Sequence, residues 1–257
     1  MSISRCALLI SNAGESGDEH YCKGVLVDIQ NYKTFLTSPI GGWWAEDRII
    51  WLDRPTKSRL RESLRSLTQY DYSFIAFSGH GWFSKADDTT ALILKRGETI
   101  SSLELQQDAT KRTIVLDCCR EIRNESALLE RHVKYAEFSA ELNKRSPDGR
   151  LCREKFFKDV KSASPGIVTL HSCSPAETAG DDERTGGHYT SRLVAGANMW
   201  AAGISKNTWS NTAEAYTVVA AHTKATDALR ARYNGRQNPL IDKPRTEQNY
   251  FPFAVFA

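Results

Sequence analysis

The sequence lacks a long apolar run and a strong excess of charge of either sign. No stretch approaches the roughly 18 apolar residues of a membrane span, so we expect no membrane partner. The 257 residues include 34 Lys and Arg and 31 Asp and Glu, a formal net charge of +3. This balance is too even to indicate nucleic acid or an anionic surface as the partner. The opening residues, MSISRCALLISN, predict a first strand rather than a signal peptide, and we expect a cytoplasmic protein.

Paired cysteine motifs are also missing. The six cysteines are scattered, and no two of them have CxxC spacing, which argues against a zinc cage. Cys118 and Cys119 are adjacent, and neighbouring cysteines rarely bond each other without strain. We therefore expect reduced thiols, as in a reducing compartment.

Apolar strand patterns and helical patterns alternate along the chain, and hydrophobic residues make up 40% of it. This alternation predicts an α/β protein with a mostly parallel sheet and right-handed crossovers. A small hairpin is predicted at 90–101. The predicted strands are 6–11, 48–52, 72–81, 113–117, 166–173 and 250–256, and the predicted helices are 24–36, 56–67, 101–108, 190–200 and 213–232.

The charged segment 120–165 interrupts the alternation and is the one candidate boundary. Its first part has a helical pattern, and KRSPDGR indicates a turn or an exposed loop. Strand patterns continue on both sides of the segment. We therefore predict that both halves contribute to one sheet and that residues 1–257 form a single domain.

Two neighbouring predicted strands end in reactive side chains. One ends in Ser78-Gly79-His80-Gly81 and the other in Asp117-Cys118-Cys119. Ligands of open α/β sheets bind beyond the carboxyl ends of the strands, and a thiol beside an imidazole forms the elements of a Cys–His dyad. Each motif alone has an ordinary structural explanation, because a lone histidine is often a core or surface residue and buried cysteines behave as small hydrophobes.

The motifs FSGHG and LDCCRE together resemble the caspase-like cysteine peptidases of clan CD, and are closest to metacaspases and bacterial caspase-like peptidases. The segments KGVLVDIQN, VTLHSCSPAETAGDDERTGGHYTSRLV and RQNPLIDKPRTEQNYFPFAVF extend the resemblance over the whole chain. It implies a three-layer α/β/α sandwich with a mostly parallel six-stranded sheet. Residues 1–119 would correspond to the large subunit, 120–165 to the linker, and 166–257 to the small subunit.

The resemblance implies a cysteine endopeptidase in which Cys119 is the nucleophile and His80 the acid–base group, with no cofactor required. The family pattern places the nucleophile two positions after the acid. Strand alternation agrees, because it directs Asp117 and Cys119 to one side and Cys118 to the other. The backbone N–H groups of Gly81 and Cys119 are the expected oxyanion donors.

The same resemblance implies a protein substrate with Arg or Lys at the cleaved position. The equivalents of Asp28 and Asp117 line the S1 pocket of metacaspases, and Ser172 occupies a position that matches pocket-lining residues. An acid on the core-directed face of a helix needs a partner, which a substrate cation would supply to Asp28. The alternatives are a local lysine or a backbone cap for Asp28, loop amides for Asp117, and strand-end backbone for Ser172.

The charged segment corresponds to the family's intersubunit loop, so we expect a regulatory linker and a candidate self-cleavage site. The alternative is an ordinary charged helix and loop. Self-cleavage would occur at the basic residues beside the turn-forming Ser, Pro, Asp and Gly, namely Lys144, Arg145, Arg150 and Arg153.

Some metacaspases need calcium, and two acidic runs, Asp87–Asp88 and Asp181–Asp182–Glu183, are the candidates for it. Solvated loop acids are the alternative explanation, because neither run has EF-hand spacing. No other metal is expected. The resemblance also implies a monomer that activates a partner protein in bacterial defence or cell death.

Three other functions compete with this interpretation. A catalytically silent caspase-like binding domain would be marked by loss of the histidine or the cysteine, and both are present. A different hydrolase or transferase on a flavodoxin-like sheet would need a glycine-rich phosphate loop, but SNAGESGDE carries three acids. A redox protein using Cys118 and Cys119 would lack the usual CxxC spacing.

Overall fold

The computed structural model describes residues 3–17, 20–122, 146–205, 213–245 and 250–257. Five helices are found there: α1 (Gly24–Thr37), α2 (Lys57–Leu67), α3 (Gly149–Ser162), α4 (His188–Ser205) and α5 (Val218–Tyr233). Short 3₁₀ helices lie at Glu46–Arg48 and Ser102–Gln106. The strands are β1 (Arg5–Asn12), β2 (Ile49–Asp53), β3 (Tyr72–Gly79), β4 (Gly81–Ser84), β5 (Thr89–Lys95), β6 (Glu98–Ser101), β7 (Lys111–Asp117), β8 (Gly166–His171), β9 (Asp181–Asp182), β10 (Gly186–Gly187), β11 (Glu214–Thr217), β12 (Leu240–Asp242) and β13 (Pro252–Phe256).

The central sheet has six strands in the order β12-β8-β7-β3-β1-β2. The five strands from β8 to β2 are parallel, and β12 pairs antiparallel with the end of β8. Strands β1, β3 and β7 are buried almost throughout, as expected where both faces of a parallel sheet are covered. The predicted mostly parallel six-stranded sheet is confirmed.

The two faces of the sheet support separate apolar cores, which makes the fold a three-layer sandwich. One core joins the sheet to α1, α3, α4 and α5, through side chains that include Tyr32, Phe156, Leu193 and Leu229. The other joins it to α2 and the β5–β6 hairpin, through Leu60, Leu64, Leu92 and Leu94. Successive β7 residues alternate between the cores, so this strand is locked in register against a one-residue slip.

The sixth strand of the sheet is not the one that the sequence indicated. The predicted strand 250–256 forms β13, but it pairs antiparallel with β11 outside the main sheet. The sheet edge is filled instead by β12, three residues with no buried side chain. A strand this short, with no buried face, has no apolar pattern by which the sequence could predict it.

Three other predicted elements differ in type or length. The predicted helix 213–232 begins with β11, and α5 starts at Val218 because the Thr217 hydroxyl caps it by accepting from Ala220 N. The predicted helix 101–108 is the 3₁₀ helix Ser102–Gln106. The third strand of the sheet ends at Gly79, and the chain restarts as β4 at Gly81, which leaves His80 between two strands.

The charged segment is helical in its second half. Helix α3 starts after Asp148, whose carboxylate accepts from Leu151 N at 2.9 Å as an N-cap. The helix predicted for the first part of the segment falls mostly on 123–145, outside the described residues. None of the helices in the described ranges has the length and apolar character needed to cross a membrane.

Candidate active site

A cavity of about 60 Å³ lies beyond the carboxyl ends of β3 and β7 and beside the start of α1. This is the end of a parallel sheet at which α/β proteins bind ligands. Its walls include both residues of the predicted dyad and both acids of the predicted S1 pocket, together with parts of the loop after β8. The lining residues are Cys22, Val25, Asp28, Ser78, Gly79, His80, Asp117, Cys118, Cys119, Thr178, Ala179, Gly180, Asp181 and Gly187.

His80 is positioned by the close approach of β3 to β1. Gly79 has a φ of 152°, and a β-carbon on it would lie 2.5 Å from the Asn12 carbonyl oxygen. Only glycine therefore fits at the end of β3, and the turn after it delivers His80 to the cavity. The His80 Nε2 atom lies 3.8 Å from the Cys22 thiol on the loop before α1.

Cys119 is half-buried, and its thiol lies 3.6 Å from the Ala179 carbonyl oxygen across the cavity. Cys118 is buried in the core with Ile114 and Leu116, on the side of α2 and the hairpin. Burial raises the pKa of the Cys118 thiol well above its usual range, which keeps this thiol protonated and inert. The structure thus gives the two adjacent cysteines different surroundings, as the alternation of strand side chains predicted.

Asp28 and Asp117 are both buried, and each is held by donors of the protein. Asp28 Oδ2 accepts from Ser78 Oγ at 2.5 Å, and Asp28 Oδ1 accepts from Gly187 N at 2.7 Å. Asp117 Oδ2 accepts from the backbone N–H and the hydroxyl of Thr190, at 2.9 and 2.8 Å. These donors fix both carboxylates against the cavity wall.

Burial raises the pKa of both carboxyls, because ionised oxygens lose water in this site. For Asp28 the negative charge of Asp117 adds to the rise. A β-carbon on Gly187 would overlap Asp117 Oδ2 and lie 2.9 Å from Asp28 Oδ2, so both carboxylates approach the same glycine. The two carboxyl groups therefore share one site, and the charge of Asp117 opposes the ionisation of Asp28.

Asp181 is a third acid of the cavity, which the sequence analysis considered only for calcium. Its Oδ2 atom accepts from Gly24 N at 3.1 Å, at the first residue of α1, and its charge raises the pKa of Asp28 and Asp117 further. Among the described residues that line the cavity, none is a lysine or an arginine. A cationic group entering the cavity would therefore meet three carboxylates and no competing cation of the wall.

Ser172 does not line the cavity. It is fully buried behind Cys118, where its hydroxyl accepts from Cys118 N and donates to Cys118 O, each at 3.2 Å. Ser172 thus bonds the strand-end backbone, and its hydroxyl also hydrogen-bonds the Asp117 carboxyl, which lowers the pKa of that acid. Ser78, which the sequence motif SGHG contains but which was not predicted as a site residue, does line the cavity.

The remaining predicted site residues that the structure describes lie outside the cavity wall. Gly81 begins β4 and packs beside Cys118, since a β-carbon on it would lie 2.9 Å from the Cys118 sulfur. Arg150 and Arg153 lie in the first turns of α3, so that helix would have to unwind before either bond could be cut. Lys144 and Arg145 lie outside the described residues.

The acidic runs considered for calcium already have protein partners. Asp87 accepts from Ser84 Oγ, Asp182 accepts from the backbone of Arg184 and Thr185, and Glu183 forms an ion pair with Lys23. In the described part of the chain, no group of three His, Cys, Asp or Glu side chains is arranged to hold a metal ion.

Cys119 and His80 follow the ends of adjacent parallel strands and line one cavity, and comparison with known proteins shows a cysteine-type peptidase. The sequence model described as the caspase domain matches residues 4–250, so the chain belongs to the caspase-domain family, peptidase C14. The fold is similar to the crystal structure of caspase-1 from Spodoptera frugiperda, with a TM-score of 0.57 and 10% identity over 94% of this chain and 86% of the other. No curated protein sequence matches the chain.

Proposed function

We propose that this protein is a cysteine endopeptidase with a Cys119–His80 dyad that cleaves proteins after Arg or Lys. The observation that carries the proposal is the pair of buried carboxylates, Asp28 and Asp117, in the wall of the cavity that also contains the thiol and the imidazole. Animal caspases cleave after Asp, and a substrate carboxylate would be repelled by this wall.

The reaction is an acyl transfer in two halves. The Cys119 thiol gives its proton to His80, and the thiolate attacks the scissile carbonyl carbon to form a tetrahedral adduct. His80 then protonates the leaving amine, and the adduct becomes a thioester. A water molecule that loses its proton to His80 hydrolyses the thioester and restores the thiol. The N–H groups of Gly81 and Cys119 are the proposed donors to the oxyanion.

The preference for a basic side chain follows from the free-energy cost of ionising both carboxyls when no substrate cation is bound. Two adjacent carboxylates in a site with little water are destabilised when both are ionised, as their raised pKa values indicate. A guanidinium or ammonium group would neutralise the pair and donate charge-assisted hydrogen bonds to the two carboxylates. Ser78 and Thr190 hold the carboxylates in place before the substrate arrives, so binding costs little reorganisation.

The test is a panel of peptides that differ only at the residue before the cut, with Arg, Lys, Gln and Asp at that position. Wild type should cleave the Arg and Lys peptides, and Cys119→Ala should cleave none. Best cleavage of the Asp peptide would overturn the specificity. If the folded wild type cleaves none of these peptides and no added protein, the alternative of a silent binding domain would be favoured instead.

A role in bacterial defence or cell death, through cleavage of a partner protein, is proposed on the family resemblance. Its test is growth of cells that express the wild type or Cys119→Ala together with the neighbouring genes. Arrest that requires Cys119 would support the role, and equal growth of both strains would contradict it.

A further inference from the structure

The end of the sheet opposite the active site carries two adjoining cavities that the peptidase chemistry does not use. The smaller, of about 190 Å³, and the larger, of about 510 Å³, share Ile3, Arg153 and Phe157 in their walls. They lie at the start of β1 and along α3. Seven residue steps of β1, about 23 Å at roughly 3.3 Å per residue, separate Arg5 from the active-site end of the strand.

Arg5 is a buried cation in the wall of the smaller cavity. It is only 6% exposed, and its guanidinium lies 4.2, 4.6 and 4.8 Å from the ring centres of Trp44, Phe156 and Phe157. Its Nη2 donates to Gly42 O at 2.5 Å, while Nη1 has no hydrogen-bond acceptor among the described residues. No carboxylate in the described ranges forms an ion pair with Arg5. The faces of the three rings therefore provide the main stabilisation of its buried charge.

Two further arginines, Arg48 and Arg153, line the smaller cavity, and none of the described residues of its wall is an acid. The positive charge of Arg153 adds to burial in lowering the pKa of Arg5 to about 9. Arg48 donates to the Tyr70 hydroxyl at 3.0 Å and pairs with the exposed carboxylate of its neighbour Asp47 at 3.4 Å. An anion in this cavity would relieve the repulsion between Arg5 and Arg153, in a wall that also contains Arg48.

The larger cavity combines basic and aromatic walls. Its charged lining residues are Arg150, Arg153, Lys158, Lys161 and Glu154, and its rings are Trp43 and Phe157. Trp43 is 45% exposed and holds a left-handed backbone, with φ of 54°, that a bulky side chain rarely adopts. Its ring lies on Gly149, where a β-carbon would come within 2.9 Å of it. An exposed, fixed ring beside a cluster of cations is suited to stacking a planar group.

We propose that these two cavities form a binding site for a nucleotide-class ligand, with its phosphate in the arginine cavity and its base against Trp43 and Phe157. A phosphate ester carries nearly two negative charges and matches the fork geometry of guanidinium groups, whereas a carboxylate carries one. The aromatic wall of the adjoining cavity distinguishes a nucleotide from a free phosphate. This site is independent of the peptidase reaction, since none of its residues lines the active-site cavity.

The test is calorimetric titration of the full chain carrying Cys119→Ala, at constant ionic strength, with inorganic phosphate, ribose 5-phosphate, adenosine and AMP. AMP should bind at least about tenfold more tightly than either phosphate or adenosine, since it alone uses both cavities. Arg153→Gln and Arg48→Gln should each weaken AMP binding about tenfold or more. Trp43→Asn, which suits a left-handed backbone, should weaken AMP but leave ribose 5-phosphate unchanged.

Arg96→Gln is the matched control, because Arg96 is exposed in the β5–β6 turn and the same charge is lost. It should bind AMP as the parent does. Equal binding of AMP and phosphate would overturn the nucleotide class, and a loss as large in Arg96→Gln as in Arg153→Gln would show general charge attraction only. Tighter binding of a glutamate-rich peptide than of AMP would also overturn the proposal.

Discussion

The Ser78 hydroxyl donates a 2.5 Å hydrogen bond to Asp28 Oδ2, and this contact ties the strand that carries His80 to the helix that carries the acid. In the proposed enzyme, this buried bond would couple substrate recognition to catalysis. Ser78→Ala should lower kcat/KM for an Arg peptide by about tenfold, chiefly through KM, because Asp28 loses a donor that keeps it ionised and in place. Steady-state kinetics with Ser84→Ala as the control would check it. An unchanged KM would contradict the coupling.

Asp28→Asn should reduce cleavage after Arg at least about 100-fold while leaving the fold intact. The substitution preserves the shape of the side chain but removes one partner of a desolvated ion pair, whose loss costs several kcal/mol. The measurement is kcat/KM for the Arg peptide, with Asp88→Asn in the exposed hairpin turn as the charge-matched control. Wild-type efficiency in a folded Asp28→Asn protein would remove this acid from the specificity pocket.

Cys119→Ala should abolish turnover, whereas Cys118→Ala should retain activity within a fewfold of wild type. Cys118 is buried among Ile114 and Leu116, so its truncation should lower the free energy of unfolding by about 1–2 kcal/mol. Peptide cleavage and urea denaturation of both variants separate the two effects. A folded but inactive Cys118→Ala protein would reverse the assignment of the nucleophile.

The raised pKa values of Asp28 and Asp117 predict a pH dependence of stability. The fold favours the protonated carboxyls, so their contribution to stability is present below the unfolded pKa, near 3.8, and is lost as pH rises through the higher folded values. Between pH 4 and pH 8, wild type should therefore lose more unfolding free energy than Asp28→Asn does. Denaturation curves over that range provide the measurement, and parallel pH profiles would count against the buried pair.

Removal of calcium should leave the activity within about twofold of its initial value. Asp181 is engaged by Gly24 N, Asp182 by the backbone of Arg184 and Thr185, and Glu183 by Lys23, so a cation would have to displace these partners. The assay is peptide cleavage with EGTA and then with added Ca²⁺ or Mg²⁺. A tenfold loss that Ca²⁺ alone restores would show that one of the acidic runs is a calcium site.

Self-cleavage should occur at Lys144 or Arg145 rather than at Arg150 or Arg153, because a peptidase binds an extended chain and the latter two lie in α3. Mass spectrometry of purified wild type and Cys119→Ala gives the cut position. A fully active wild type that stays in one piece would exclude a required cut.

The parts of the site that lie on central strands were predictable from the sequence. Strands β3 and β7 are buried on both faces, so their apolar runs stand out and place His80 and Cys119 at one end of the sheet. The strand at the edge of the sheet was not predictable, because β12 is short and exposed, whereas the apolar run of β13 is equally compatible with its pairing to β11.

Ser172 and Ser78 show the same limit within the pocket. Both hydroxyls sit at or just beyond the end of a central strand, and the sequence alone does not say which one faces the cavity. The answer depends on the path of the loop after β8, which brings the Ala179 carbonyl to the Cys119 thiol and turns Ser172 toward the backbone of Cys118. Loop paths are set by tertiary contacts rather than by local pattern.

Strands β7 and β8 lie on opposite sides of the charged segment and are direct neighbours in the sheet, with Leu116 opposite His171. Their ladder holds the two halves of the chain together whether or not the segment between them is continuous. A cut at Lys144 or Arg145 would therefore give two bands on a denaturing gel from a particle that still migrates as one in gel filtration. Proteolytic maturation of this enzyme would alter which chain ends are free to move, while the sheet itself would remain whole.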